Sequence, residues 1–256
     1  MNNVLTPGSL HGIRALVTGS SRGIGADTAS MLAAAGARVA INYRNKEARA
    51  LKVVAAIEEA GGEAIALGGD LTDPASVAEM FAKVEQEWGG LDLLVLNASG
   101  GMESGMGDDY AMKLNRDAQI NVLDAALPLM ASGSRVVFVT SHQAHFVATA
   151  ETMPEYLPVA LSKRAGEDAL RARIPEFDAK GIGFVVVSGD MIEGTITATL
   201  LERARPGAIA SRRDEAGKLY TVNEFAAEVA QAAVDPVPAD HTRYVGDVSS
   251  FLPATS

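Results

Sequence analysis

Residues 14–25 have the sequence RALVTGSSRGIG, in which an apolar run leads directly into a loop containing three glycines. The run 14–18 has the length and the branched apolar side chains of a buried strand, and the segment from Gly23 has the pattern of a helix that ends before Gly36. Glycines between a strand and a helix permit a tight turn and let backbone N–H groups approach a pyrophosphate at the helix N-terminus. The stretch therefore predicts an α/β fold with a dinucleotide site.

Outward from this stretch, short apolar runs alternate with longer amphipathic segments to the end of the chain. Further strands are predicted at 38–43, 63–68, 91–96, 135–140 and 183–187 and near Tyr244, and further helices at 46–60, 74–88, 109–130, 158–179 and 222–233. Strands rich in Val, Ile and Leu that alternate with helices indicate a parallel sheet covered by helices on both faces. We predict a single, doubly wound Rossmann-type domain over residues 1–256, with the less regular stretch 190–220 as a substrate lid.

The composition excludes several classes of partner and location. The chain has 32 acidic and 22 basic residues and a formal net charge of −10, which argues against nucleic acid or an anionic membrane as a partner. It has no cysteine, so neither disulfides nor thiolate metal sites are expected. No apolar stretch approaches the length of a membrane span and no secretory pattern opens the sequence, so we expect a cytoplasmic protein whose partner is a small molecule.

The sequence after the second predicted strand indicates which nicotinamide dinucleotide is preferred. An NAD site usually has a carboxylate at this point, which binds the ribose 2′-hydroxyl and repels a 2′-phosphate. Residues 42–46 are NYRNK, with no acidic residue before Glu47. Arg44 can bind a 2′-phosphate through two parallel hydrogen bonds, and Arg22 in the glycine loop adds a second positive charge. We therefore predict NADP(H) as the cofactor.

The spacing Gly19-x-x-x-Gly23-x-Gly25 resembles that of the short-chain dehydrogenase/reductase family, and further segments match this family in order over roughly residues 13–248. Residues 97–100 (NASG) are similar to the family's Asn-Asn-Ala-Gly motif with two positions changed, and residues 188–189 (SG) stand where the family has Pro-Gly. By this resemblance the cofactor would be held by Gly19, Ser21, Arg22, Gly23, Ile24, Arg44, Asp70, Leu71, Asn97, Ser99, Lys163, Gly189, Ile192 and Thr195.

The same resemblance implies the catalytic residues and exposes one departure from the family's pattern. Ser141 ends the fifth predicted strand, where the family has its catalytic serine, and Lys163 stands at the position of the active-site lysine. Asn115 falls where the family keeps a structural and proton-relay asparagine. The family's proton donor is the tyrosine of a Tyr-x-x-x-Lys motif, but the residue four places before Lys163 is Val159.

Three possibilities follow for the proton. In the first, Tyr156 substitutes, from the segment that enters the active-site helix. In the second, the donor is a water relayed through Lys163 and Asn115, or His142 or His145, or a hydroxyl group of the substrate. In the third, the chain binds the cofactor without chemistry. The two histidines have no apparent third ligand, so no metal site is predicted.

The segment between Ser141 and Val159 is longer than is usual in the family, and the extra residues around 148–154 would reshape the pocket. The sequence is similar to actinobacterial tailoring ketoreductases of aromatic polyketides, including those that act on angucyclinones. This resemblance implies an NADPH-dependent ketoreductase for a bulky polycyclic aromatic ketone. The alternative is a non-catalytic NADPH-binding sensor or structural protein. The family commonly forms dimers or tetramers through its fourth and fifth helices, so the resemblance also implies a homo-oligomer.

Overall fold

The computed structural model describes residues 4–103, 105–107 and 109–252. Within these ranges seven parallel strands form one sheet in the order β3-β2-β1-β4-β5-β6-β7. The strands are β1 (Arg14–Val17), β2 (Arg38–Tyr43), β3 (Glu63–Gly68), β4 (Leu91–Leu96), β5 (Met130–Ser141), β6 (Gly183–Gly189) and β7 (Thr242–Val245). This confirms the predicted doubly wound, Rossmann-type fold.

Helices cover both faces of the sheet, because successive strand residues point to opposite sides and both sides are apolar. In β1, Val17 belongs to the cluster beneath one layer of helices and Leu16 to the cluster beneath the other. The helices are α1 (Gly23–Ala34), α2 (Glu47–Glu59), α3 (Pro74–Trp88), α4 (Tyr110–Met112), α5 (Ala118–Ala126), α6 (His142–His145), α7 (Leu157–Arg171), α8 (Ile174–Lys180), α9 (Ile196–Ala204), α10 (Ala208–Ala216) and α11 (Val222–Ala232). None of the described helices combines the length and the apolar composition that crossing a membrane requires.

The order of the strands determines where a ligand can bind. From β1 the chain runs outward through β2 and β3, then returns to place β4 on the other side of β1. The connections after β1 and after β4 therefore leave the sheet in opposite directions, and a crevice opens between them at the carboxyl ends of the strands. The glycine loop follows β1 and residues 97–100 follow β4, so both line this crevice.

The prediction of one continuous helix at 109–130 was wrong. The segment consists of α4, a π turn (Lys113–Asp117), α5 and a 3-10 turn (Leu127–Leu129). It ends early because Met130 pairs with Leu91 in the sheet, which makes β5 longer than predicted.

Two further predictions need correction. The helix expected at 158–179 ends at Arg171, and α8 begins at Ile174, followed by Pro175, whose missing N–H suits the start of a helix. The stretch 190–220, predicted as irregular, contains α9 and α10. Its function as a lid stays a prediction.

Helix α7 lies so close to the π turn that glycine is required at position 166. A Cβ atom there would overlap the carbonyl oxygen of Asn115. In an unhindered helix, Gly→Ala is stabilising by about 1 kcal/mol. Here we expect Gly166→Ala to be destabilising by about 3 kcal/mol, the upper end of the cost of overpacking a core.

Urea titration of the free energy of unfolding checks this expectation. The control is Ala165→Gly in the same helix, which should cost only the difference in helix propensity, about 1 kcal/mol. A Gly166→Ala variant as stable as the wild type would contradict the close contact between α7 and the π turn.

Candidate active site

The glycine loop between β1 and α1 has the conformation that its sequence predicted. Gly19 and Gly23 have φ values of 63° and 58°, in the left-handed region that favours glycine. A Cβ atom at Gly25 would lie 2.6 Å from the amide nitrogen of Asn97. These positions carry no side chains, so a ligand can approach the backbone of the loop closely. A pyrophosphate site requires such close approach.

Hydrogen bonds join this loop to the ends of the neighbouring strands. Asn97 Nδ2 donates to the Thr18 carbonyl oxygen at 2.9 Å, and Thr18 Oγ1 accepts from the backbone N–H of Asn97 at 2.9 Å. On the other side, Gly19 N–H donates to Asn42 Oδ1 at 3.0 Å. Thr18 and Asn42 were not among the site residues predicted from the sequence. The available signal for Asn42 was a polar residue inside an apolar strand, and it is buried with an exposed fraction of 2%.

A groove of about 650 Å³ runs from the glycine loop along the carboxyl edge of the sheet. This volume lies within the range of about 300–1,000 Å³ that ligand sites occupy. Eleven of the predicted cofactor residues line it, namely Gly19, Ser21, Arg22, Gly23, Ile24, Arg44, Asp70, Leu71, Asn97, Ser99 and Thr195. The groove and its glycine cradle together fit a dinucleotide.

The other predicted cofactor residues lie elsewhere. Lys163 and Ile192 line the adjoining cavity described below. Gly189 lines neither space, and a Cβ atom there would overlap the ring of Phe225 in α11. The glycine at 189 is thus explained by helix packing rather than by a ligand.

One end of the groove carries the arginine that was predicted to select NADP(H). Arg44 is exposed, and its Nη1 donates a hydrogen bond to the hydroxyl of Tyr110 at 2.7 Å. Burial raises the pKa of Tyr110 above its ordinary value, which keeps it a neutral phenol. Glu47, the first acidic residue after β2, accepts a hydrogen bond from Tyr43 at 2.9 Å. Arg22 stands exposed at the N-cap of α1.

A smaller cavity of about 130 Å³ adjoins the groove, and the two share lining residues such as Ile24, Asn97 and Thr195. In this cavity the hydroxyl oxygens of Ser141 and Tyr156 lie 3.2 Å apart. Tyr156 is 5% exposed and lies at the N-cap of α7. The structure therefore brings Tyr156 next to the predicted catalytic serine.

Helical geometry explains how Tyr156 reaches this place. Lys163 also lines the cavity, and it follows Tyr156 by seven residues, which is close to two turns of an α-helix. Residues at this spacing lie on the same face, as do residues four apart. Val159, at the usual tyrosine position, is buried and packs towards Gly101. Tyr156 thus lines the cavity from about one turn before Val159.

Asn115 connects the π turn to its surroundings. Its Nδ2 donates to Ser162 Oγ at 2.9 Å and to the Gly100 carbonyl at 2.8 Å, and its Oδ1 accepts from Gly100 N–H at 3.2 Å. Both ends of the amide are used within the protein. This arrangement favours a positioning function for the side chain over the predicted proton relay.

The two histidines offered as alternative donors do not line the cavity. His142 is fully buried in α6, where Nδ1 lies 2.8 Å from Ser188 Oγ and Nε2 lies 3.1 Å from the Val245 carbonyl oxygen. Burial lowers its pKa to about 4, so it is neutral near pH 7. His145 is held by Glu167 and Tyr244. Both are therefore structural residues.

Glu167 is a buried carboxylate at the centre of this arrangement. Burial alone would raise its pKa, but hydrogen bonds from His145 and Arg171 outweigh burial, and the pKa lies below its ordinary value. It therefore remains ionised and ties α6, which follows Ser141, to α7, which carries Lys163. Among the described residues, no group of three His, Cys, Asp or Glu side chains is placed to hold a metal ion.

His142 gives the stability of the protein a pH dependence. Its pKa is about 4 in the folded chain against 6.5 ordinarily, so between these values the unfolded chain binds more protons. We expect the free energy of unfolding to fall by about 3 kcal/mol from this group alone as the pH drops through that window. Urea titrations at several pH values measure this slope. His142→Gln should reduce the change in the free energy of unfolding with pH, whereas the control His11→Gln, at an exposed site, should not. An equal pH dependence in all three proteins would contradict the burial of His142.

Dehydrogenases and reductases resemble this chain in sequence and in structure. The family model for short chain dehydrogenase matches residues 14–205. A hydroxynaphthalene reductase from Aspergillus fumigatus is 31% identical over 98% of this chain and 89% of its own length. A 1-cyclohexenylcarbonyl-CoA reductase from Streptomyces collinus is 34% identical over 70% of this chain, and that match spans 64% of the relative's length.

Among solved structures, the angucycline C-6 ketoreductase LanV with bound NADP is 28% identical to this chain. It superimposes with a TM-score of 0.71 and covers 89% of this chain and 91% of its own. The resemblance stated from the sequence is confirmed, and the chain belongs to the short-chain dehydrogenase family.

Proposed function

We propose that this chain is an NADPH-dependent ketoreductase that acts on a bulky, polycyclic aromatic ketone. The observation that carries the proposal is the 3.2 Å contact between the hydroxyls of Ser141 and Tyr156 in a cavity that Lys163 also lines. This pair stands beside a groove that fits a dinucleotide. Proton donor, orienting hydroxyl and cofactor site thus meet at one place, as reduction of a carbonyl requires.

When bound, NADPH supplies the hydride that reduces the carbonyl carbon. Ser141 and Tyr156 are close enough for one substrate oxygen to accept a hydrogen bond from each. Both bonds strengthen as negative charge develops on that oxygen, so they stabilise the transition state more than the ketone. Tyr156 then gives its proton to the oxygen, in a cavity that Lys163 also lines.

Two observations support the preference for NADPH. Arg44 and Arg22 line the groove and can pair with a 2′-phosphate, whereas the first acidic residue after β2 is bound to Tyr43. LanV, which is similar in structure, was solved with NADP bound. The positive charges of Arg44 and Arg22 and the NADP bound in LanV therefore both favour NADPH as the cofactor.

The walls of the cavity support an aromatic, mainly apolar substrate. Beside the polar residues it is lined by Met191, Leu201 and Phe225, of which Leu201 belongs to α9 in the stretch predicted as a lid. A hydroxynaphthalene reductase and an angucycline ketoreductase are among the similar proteins. Both names describe reductases of polycyclic aromatic compounds.

The second candidate is a protein that binds NADPH without chemistry. Val159 favours it, because the residue four places before Lys163 is an aliphatic side chain packed in the interior. This candidate requires that Tyr156 donate no proton. Variants at Tyr156 therefore separate the two functions. Cytoplasmic location and a homodimer or homotetramer stay predictions from the sequence.

Replacing the proposed donor should affect turnover and leave cofactor binding intact. We expect Tyr156→Phe to lower kcat by about 10²- to 10⁴-fold, the usual contribution of a positioned acid, with an unchanged Kd for NADPH. The loss of NADPH absorbance measures turnover. Tyr220→Phe, at a tyrosine outside the cavity, is the matched control. Unchanged turnover in Tyr156→Phe would assign the proton to another source.

Removing the charge that selects the cofactor should discriminate between the two dinucleotides. We expect Arg44→Ala to raise the Kd for NADPH by about 10- to 100-fold, which corresponds to about 1.5–3 kcal/mol for a hydrogen-bonded charge. The Kd for NADH should change little. Fluorescence titration measures both constants, and Arg38→Ala, outside the groove, is the control. Equal losses for the two dinucleotides would contradict a bond between Arg44 and the 2′-phosphate.

A further inference from the structure

A second cavity of about 350 Å³ adjoins the catalytic one, and the two have Gln143 in common. We call it the outer cavity. One wall is formed by residues 151–154, which belong to the extra segment between Ser141 and Val159. The facing wall is formed by α10, through Ala208 and Ser211 among others. The extra segment and the second helix of the predicted lid thus enclose a space of their own.

Gln143 lines both cavities. It lies in α6, two residues after Ser141, and its backbone carbonyl accepts a hydrogen bond from Thr152 Oγ1 at 3.3 Å. This bond ties the extra segment to α6, which directly follows the catalytic strand. The side-chain Oε1 of Gln143 is buried and has no hydrogen-bond partner in the described part of the chain. An unpaired buried amide oxygen is unfavourable, so a ligand that donates a hydrogen bond to it is favoured.

The wall formed by α10 is held in place. Arg212 forms a salt bridge with Asp190, which follows β6, and Nη2 of the arginine lies 2.8 Å from Oδ2 of the aspartate. Both side chains are less than a tenth exposed. The guanidinium of Arg212 also lies over the ring of Phe251, 4.6 Å from its centre. The outer cavity is therefore present before any ligand binds.

The volumes of the catalytic and outer cavities indicate how much of a substrate each could hold. The catalytic cavity, at about 130 Å³, is smaller than the range of about 300–1,000 Å³ that encloses drug-sized ligands. The outer cavity, at about 350 Å³, falls within that range. A ketone with several fused rings would need both.

We infer that the outer cavity is the distal part of the substrate site and that Gln143 recognises a hydroxyl group on the substrate. The inference rests on the proposed function. The reacting carbonyl lies at Ser141 and Tyr156, a hydroxyl on the ring system donates to Gln143 Oε1, and the far rings lie between residues 151–154 and α10. The substrate class is therefore a hydroxylated polycyclic aromatic ketone.

The first test fills the outer cavity without touching the catalytic residues. Ser211→Trp places an indole in it, and Ala210→Trp places the same group on the outward face of α10. The Kd of dihydroxyanthraquinone for protein saturated with NADP⁺ is measured by isothermal titration calorimetry. We expect Ser211→Trp to weaken binding by about tenfold or more, the loss that filling a subsite causes, and Ala210→Trp to leave it unchanged. Equal affinity in Ser211→Trp and the wild type would overturn the inference, as would a wild type that does not bind.

The second test isolates the hydrogen bond. Gln143→Leu keeps the approximate size of the side chain and removes the amide. We expect it to weaken binding of dihydroxyanthraquinone by about tenfold and binding of unsubstituted anthraquinone much less. Equal effects on the two compounds would overturn the assignment of Gln143.

These binding measurements separate this inference from the proposed function. Binding that depends on Ser211, with no reduction of any ketone, would retain the distal site and reject the ketoreductase. Reduction of polycyclic ketones that is the same in Ser211→Trp as in the wild type would retain the ketoreductase and reject the distal site.

Discussion

The hydroxyl of Thr18 joins the two strands between which the ligand groove opens. It accepts hydrogen bonds from the backbone N–H groups of Asn97 and Ala98, and Asn97 donates back to the Thr18 carbonyl. Because parallel strands present their carboxyl ends at one edge, this contact determines how the glycine loop faces the residues after β4. Gly25 packs directly on Asn97, so the cradle and the contact depend on each other.

Beyond the groove, the chemistry depends on where side chains lie in space rather than on their spacing in the sequence. The family's motif places a tyrosine one helical turn before the lysine, and in this chain the proposed donor, Tyr156, lies about two turns before Lys163. Both positions fall on one helix face, because the α-helix repeats every 3.6 residues. In the structure α7 begins at Leu157, and the hydroxyl oxygen of Tyr156 lies 3.2 Å from that of Ser141.

The sequence was sufficient for the features that local patterns encode. The strands at 38–43, 63–68 and 91–96 have the predicted bounds, because buried parallel strands are continuous apolar runs between turn residues. The glycine loop was also predictable, since its positive φ values at Gly19 and Gly23 require glycine.

Features that arise from tertiary contact could not be predicted in the same way. The π turn exists where α7 presses on Asn115, and nothing in residues 113–117 themselves indicates it. The burial of His142 depends on contacts with β7, which is about 100 residues away in the sequence. No local pattern indicates that Gln143 Oε1 has no hydrogen-bond partner among the described residues. The sequence left Tyr156 as one of three possibilities because only the fold brings it to Ser141.

The most direct test of the central claim is whether the wild-type protein consumes NADPH in the presence of polycyclic aromatic ketones. We expect steady turnover on hydroxylated polycyclic ketones, with one alcohol formed for each NADPH oxidised, although Val159 stands at the usual tyrosine position. Tight binding of NADPH without reduction of any ketone in a broad panel would contradict it. That result would make the chain a cofactor-binding protein without chemistry.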